Sequence, residues 1–135
     1  MKVVLDTNVF LSAVFFGGPP GQILQAWHDG QVEIVLSPEI LAEYQEAGEE
    51  LAASHPDLEL QPILQILAMR AEIVLPAPLG ESVCVDPDDD KFLACAVASA
   101  APFVVSGDKH LLNVSEYRGV RVIRPREFVD QYLAR

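Results

Sequence analysis

Lys2-Val3-Val4-Leu5-Asp6-Thr7-Asn8-Val9 lies at the start of the chain, and its first half decides the fold class. Lys2 to Leu5 is a short apolar run with two valines, which predicts a strand buried on both faces. Asp6 ends the run. The apolar stretch that follows, about Asn8 to Phe16, predicts a helix with Asn8 as its N-cap. Similar runs recur at 32–36, 73–75, 103–105 and 121–123, with helical patterns between them. Strands that are continuously apolar and separated by helices indicate a parallel sheet covered on both faces. The predicted class is α/β: a three-layer α/β/α open sheet with mostly parallel strands.

Between the strands, Gly17 to Gly21 reads as a turn, followed by a helix over about 22–29 with Ile23, Leu24 and Trp27 on one face. Ser37-Pro38 starts a helix carrying Ile40, Leu41, Tyr44 and Ala47, since a serine can cap it and proline suits the first helical position. Residues 48–57 read as an acidic loop or helical cap, and 62–70 as a short apolar helix. Asp86-Pro87 opens a helix to about Ala100, with Phe92, Leu93, Ala96 and Val97 inward. Ser106-Gly107-Asp108 leads into a short helix at 109–112, and 125–133 forms a closing helix. With 135 residues, no repeat and no linker, a single domain over 1–135 is expected.

Half of the residues are hydrophobic, which excludes a disordered chain. Cys84 and Cys95 stand in no metal-binding or disulfide pattern, so a reducing, cytoplasmic setting is expected. No targeting signal is visible, and the apolar stretch Val9 to Phe16 is too short to span a bilayer, so no membrane role is expected.

The formal net charge of −11 weighs against a nucleic-acid binder until its distribution is considered. Sixteen of the 20 acids lie in residues 1–90, whereas five of the nine Lys and Arg fall between Lys109 and Arg126. A polyanion would therefore meet a local basic patch, with Lys109, Arg118 and Arg121 the candidate phosphate contacts, or a metal that reverses the local sign.

In open parallel sheets ligands bind beyond the carboxyl ends of the strands, near the point where strand order reverses. Asp6, Thr7 and Asn8 follow the first strand. Ser37 and the helix bearing Glu43 follow the second, and Ser106 and Asp108 follow the strand at 103–105. Asp86, Asp88, Asp89 and Asp90 open the long helix of the C-terminal half. A charge embedded in so apolar a run as that of Asp6 needs a reason, and Glu43 is spaced with Ile40 and Ala47 on a buried face. Asp90 shares its spacing with Leu93 and Val97, although acids in a first helical turn also simply suit the helix dipole. Converging carboxylates raise one another's pKa and become tolerable around a divalent cation. Oxygen-only ligation selects a hard ion, Mg²⁺ or Mn²⁺.

Four segments in order, Val3-Val4-Leu5-Asp6-Thr7-Asn8-Val9, Ser37-Pro38-Glu39-Ile40-Leu41-Ala42-Glu43, Asp90-Lys91-Phe92-Leu93-Ala94-Cys95-Ala96 and Val104-Val105-Ser106-Gly107-Asp108, make the chain resemble the PIN-domain ribonucleases. Within them it is similar to the toxins of VapBC-type toxin–antitoxin pairs. The resemblance implies a PIN-like fold and a Mg²⁺- or Mn²⁺-dependent endoribonuclease. Its catalytic, metal-binding acids would be Asp6, Glu43, Asp90 and Asp108. Asn8 and Ser106 would be supporting polar groups. The spacing to Leu93-Ala94 favours Asp90 within its run, with Asp88 and Asp89 as supporting acids, although which of the three touches metal stays open. An RNA substrate, a cognate antitoxin laid across the acidic groove and a homodimer are also implied.

A phosphatase built on an aspartate nucleophile would want a second carboxylate where Asn8 stands. A phospho-receiver signalling domain would want an aspartate where the second strand ends in Leu36-Ser37-Pro38. A non-cleaving PIN-like scaffold for RNA or protein is the remaining alternative.

Overall fold

The structure is a computed structural model that describes residues 1–133. Five parallel strands form one sheet: β1 (Lys2–Leu5), β2 (Glu33–Leu36), β3 (Glu72–Ile73), β4 (Phe103–Val105) and β5 (Arg121–Ile123). Their order is β3-β2-β1-β4-β5. Successive strand residues face opposite sides of a sheet, so the complete burial of Val3, Val4 and Leu5 means that β1 is covered on both faces. β4 is buried in the same way. This is the layered α/β architecture that the apolar runs predict.

The helices are α1 (Thr7–Phe15), α2 (Gly18–His28), α3 (Pro38–Ala52), α4 (Leu60–Arg70), α5 (Asp90–Ser99), α6 (Lys109–Leu112) and α7 (Pro125–Tyr132). A 3₁₀ turn, Pro87–Asp89, precedes α5. Among the described residues no helix is long and apolar enough to cross a membrane.

Three local expectations change. Asp6, not Asn8, caps α1: its carboxylate accepts the Val9 N–H at 2.8 Å, and Asn8 is an exposed second helical residue. The turn expected over 17–21 shrinks to Gly17, whose φ of +83° lets the chain reverse directly into α2. Pro19 and Pro20 then sit in the first turn of α2, where a missing N–H costs nothing.

Helix α3 also runs on to Ala52, beyond the expected end near 47. Gly48 sits within it, buried against α4, where an added Cβ would fall 2.7 Å from a Leu60 methyl carbon. Tertiary packing thus overrides the low helical preference of glycine.

The chain moves outward from β1 through β2 to β3, then returns to place β4 on the other side of β1. The order therefore reverses between β1 and β4. The carboxyl ends of these two strands release Asp6 and Ser106, the first residues past Leu5 and Val105.

Candidate active site

Asp6 leaves β1 almost wholly buried, with 5% of its surface exposed. Its N–H still donates to the Val105 carbonyl of β4 at 3.1 Å, which fixes the backbone. One carboxylate oxygen accepts from Val9 N–H, and the other accepts from the Ser106 hydroxyl. The same Ser106 oxygen accepts the Asp108 N–H at 3.0 Å. One hydroxyl at the end of β4 thus braces two acids that are about 100 residues apart in sequence.

Burial pushes the Asp6 carboxyl up to about 6. The bonds from Ser106 and Val9 oppose that rise, and the charges of Asp108 and Asp89 add to it. Stability alone gives no reason to keep a carboxylate in such surroundings.

Glu43 is aimed by its neighbour. Tyr44 is fully buried, stacks on Phe10 of α1 with centroids 4.2 Å apart, and donates its hydroxyl to the Leu5 carbonyl. That anchors α3 beside the end of β1. Glu43, one residue earlier, then reaches the cleft, where one oxygen accepts from the Thr7 hydroxyl and the other meets the Lys91 ammonium at 2.6 Å.

The acidic run divides its duties. Asp86 caps the 3₁₀ turn by accepting the Asp88 N–H at 3.0 Å. Asp88 is exposed and pairs with Lys91 at 3.4 Å. Asp89 lines the cleft, and its carboxyl is raised by burial first, then by Asp108 and Asp86. Asp90 turns away: its two oxygens accept the N–H groups of Cys84 at 2.8 Å and Val83 at 3.2 Å. Burial works to raise the Asp90 carboxyl, but these bonds outweigh it and hold it below the ordinary range. Asp90 lines a separate groove beside the 76–81 loop.

The cleft itself encloses about 230 Å³, and Asp6, Glu43, Asp89 and Asp108 all stand on its wall, with Thr7, Asn8 and Phe92 among them. Three of the four acids expected from sequence are brought together, and Asp89 occupies the place expected of Asp90. The physical reason is that the amides of the 83–84 segment lie within reach of Asp90 and hold its carboxylate, still charged, away from the cleft.

Asn8 and Ser106 both take up positions beside Asp6. Lys109 is exposed and directly follows Asp108. Arg118 binds the Leu79 carbonyl at 3.0 Å and pairs with Glu81 at 3.7 Å. Arg121 begins β5, at the end of the sheet opposite the cleft, and donates to the Tyr132 hydroxyl at 2.8 Å. The expected basic patch is therefore divided among three surroundings, with Lys109 alone beside an acid of the cleft.

Thr7 is expected only as a polar residue after the first strand, and Lys91 is given no role by the sequence reading. Lys91 carries a readable signal, a lone base directly after three consecutive acids. Thr7 carries none beyond its place next to Asp6.

Comparison with known proteins identifies the family. The chain is 30% identical over 148 aligned positions to the uncharacterized protein MJ1680 of Methanocaldococcus jannaschii, an alignment covering 98% of this chain and 92% of that protein. Its fold matches a chain of VapBC2 from Rickettsia felis, solved bound to a DNA fragment from their promoter. The TM-score is 0.55 at 18% identity, over 90% of this chain and 97% of that one. A family model for the PIN domain matches residues 2–110. The chain belongs to the PIN domain family, whose members are generally nucleases that use divalent metals.

Proposed function

We propose that the protein is a Mg²⁺- or Mn²⁺-dependent endoribonuclease and the toxin of a toxin–antitoxin pair. The observation that carries this reading is the meeting of Asp6, Asp89, Asp108 and Glu43 in one cleft at the reversal of strand order. All four are oxygen donors, the set that a hard cation selects.

Among the described residues no three His, Cys, Asp or Glu side chains are drawn closely enough together to enclose an ion. An open spread of carboxylates still suits Mg²⁺, which keeps several of its waters and is held by one or two carboxylates together with substrate phosphates. Asp6, Asp89 and Asp108 would hold the ion, and Glu43 would close the remaining side. When bound, such an ion would polarise the phosphate and lower the pKa of a water, so that it gives up a proton as it attacks.

The chain's own groups supply positioning. Ser106 keeps Asp6 and Asp108 oriented. Asn8, exposed at the rim, offers an amide to the substrate, and Lys109 offers an ammonium to a phosphate. The acidic cleft also suits a basic segment of an antitoxin, by charge complementarity. The fold shared with a chain of VapBC2 is in keeping with that partner, and a homodimer acting in the cytoplasm completes the reading.

The test is cleavage of single-stranded RNA by the purified protein with Mn²⁺ or Mg²⁺, with EDTA, and by Asp6→Asn. Cleavage should require metal and should fall by at least about 100-fold in the variant, more than loss of an outer-shell partner costs. Equal cleavage in EDTA, or an undiminished variant, would overturn the reading.

A further inference from the structure

Lys91 brings a positive charge into the acidic cleft from within the protein. Its side chain is only 8% exposed. The ammonium lies 2.6 Å from one Glu43 oxygen, donates to the Asp88 carbonyl at 2.8 Å, and meets the Asp88 carboxylate at 3.4 Å. An ammonium has three protons, and these three oxygens can take them all. The other Glu43 oxygen is engaged by the Thr7 hydroxyl. Glu43 is therefore paired on both oxygens.

We propose that Lys91 is a built-in cation: its ammonium stands beside Glu43 where a second divalent ion would otherwise sit, so that the site takes one metal ion, held by Asp6, Asp89 and Asp108. This rests on the metal-dependent reading above and makes Lys91 and Glu43 positioning residues rather than metal ligands. A divalent ion approaching Glu43 would meet a like charge, and one that has given up little of its charge to solvent. The ammonium also ties Glu43 of α3 to the 3₁₀ turn that carries Asp89, so it sets the distance between the two walls as it offsets their charge.

A purely structural tie would leave the number of bound ions unchanged. Mn²⁺ binding to the metal-free protein, followed by calorimetry and by the electron paramagnetic resonance of free Mn²⁺, separates the two roles. The wild type should take one ion per chain, Lys91→Gln two, and Lys91→Arg, which keeps the charge, one. Lys91→Gln should also gain more in melting temperature from Mn²⁺ than the wild type does, because each ion bound only by the folded state adds to its stability.

Glu43→Gln provides a check that does not depend on how well the lysine variants fold. Its Mn²⁺ affinity should fall by less than the roughly 10-fold that loss of even an outer-shell partner costs. Two ions in the wild type, one ion in a folded Lys91→Gln, or a larger fall in Glu43→Gln would overturn the inference and leave the nuclease reading standing. No ion bound by the wild type would overturn the metal-dependent reading itself, and the inference with it.

Discussion

Asp6 and Asp89 line the same cleft, and they reach it by opposite routes. Asp6 stands at the end of a strand whose residues are buried on both faces, held by a backbone N–H of α1 and a hydroxyl of β4. Asp89 stands in an exposed turn among three other acids, any of which has the right chemistry. What selects it is that its neighbours are occupied: Asp86 by the Asp88 amide, Asp88 by Lys91, and Asp90 by the amides of Val83 and Cys84. Position is fixed by packing on one side of the cleft and by competition for partners on the other.

The widest separation between the two sides should come from exchanging Asp89 and Asp90. If Asp89 is the acid that works, Asp89→Asn should lower metal-dependent cleavage by at least about 100-fold, beyond the range of outer-shell losses. Its melting temperature should hold or rise, because a repelled carboxylate has been neutralised. Asp90→Ala should do the reverse. It leaves two backbone N–H groups without acceptors and should cost roughly 1–3 kcal/mol of stability while the folded enzyme keeps its cleavage rate. Steady-state cleavage and thermal melts of the two variants decide the matter. A stable, inactive Asp90→Ala beside an active Asp89→Asn would reverse the assignment.

A smaller effect probes the packed side. The Asp6 carboxyl is pushed up to about 6 from an ordinary 3.8, burial being the largest cause. The folded, metal-free protein therefore takes up a proton between those values that the unfolded chain does not. By linkage its stability should rise as the pH falls from above 6 towards 4, and this contribution is lost as the pH rises through 6. A displacement of about two pH units corresponds to roughly 3 kcal/mol at the upper limit. In Asp6→Asn the part of the slope between pH 4 and 6 that Asp6 contributes should disappear, and the melting temperature above pH 6 should exceed that of the wild type. Denaturant melts across pH 4–8 in EDTA measure it. An unchanged slope would mean that Asp6 is better solvated than its burial suggests.

The same contrast explains what could be read from the sequence. The strands, the parallel sheet and the places of Asp6 and Glu43 follow from apolar periodicity, which reports burial directly. The cap of α1 was misplaced by two residues because Asn8 and Asp6 are both good caps, and only the sheet bond from Asp6 N–H to Val105 fixes which one ends the strand. Helix α3 outran its expected end because Gly48 is stabilised by α4, a contact with no local signature. Asp89 was legible only as one of several acids. Choosing it required knowing where the 83–84 amides lie, and that segment is a loop with no periodicity to read. Arg121 was grouped with Lys109 by sequence proximity to the basic run, but a strand separates their ends of the sheet.

The finest test concerns how rigid the packed side is without its hydroxyl. Ser106 donates to Asp6 and accepts from the Asp108 N–H, so one atom couples two of the acids proposed to hold metal. Its bond to Asp6 favours the charged form and so opposes the effect of burial. Ser106→Ala should therefore raise the Asp6 carboxyl further, weaken Mn²⁺ binding by roughly 10-fold as an outer-shell loss, and move the acid limb of the cleavage profile to higher pH. Asp86→Ala removes a comparable cap from the exposed turn that carries Asp89, and should leave the acid limb in place. Profiles of cleavage against pH for the two variants, each at saturating Mn²⁺ and again at limiting Mn²⁺, separate a change in proton affinity from a change in metal affinity. A displaced limb in Asp86→Ala with none in Ser106→Ala would put the controlling carboxylate on the turn, and the division between a packed wall and a competitive one would fail.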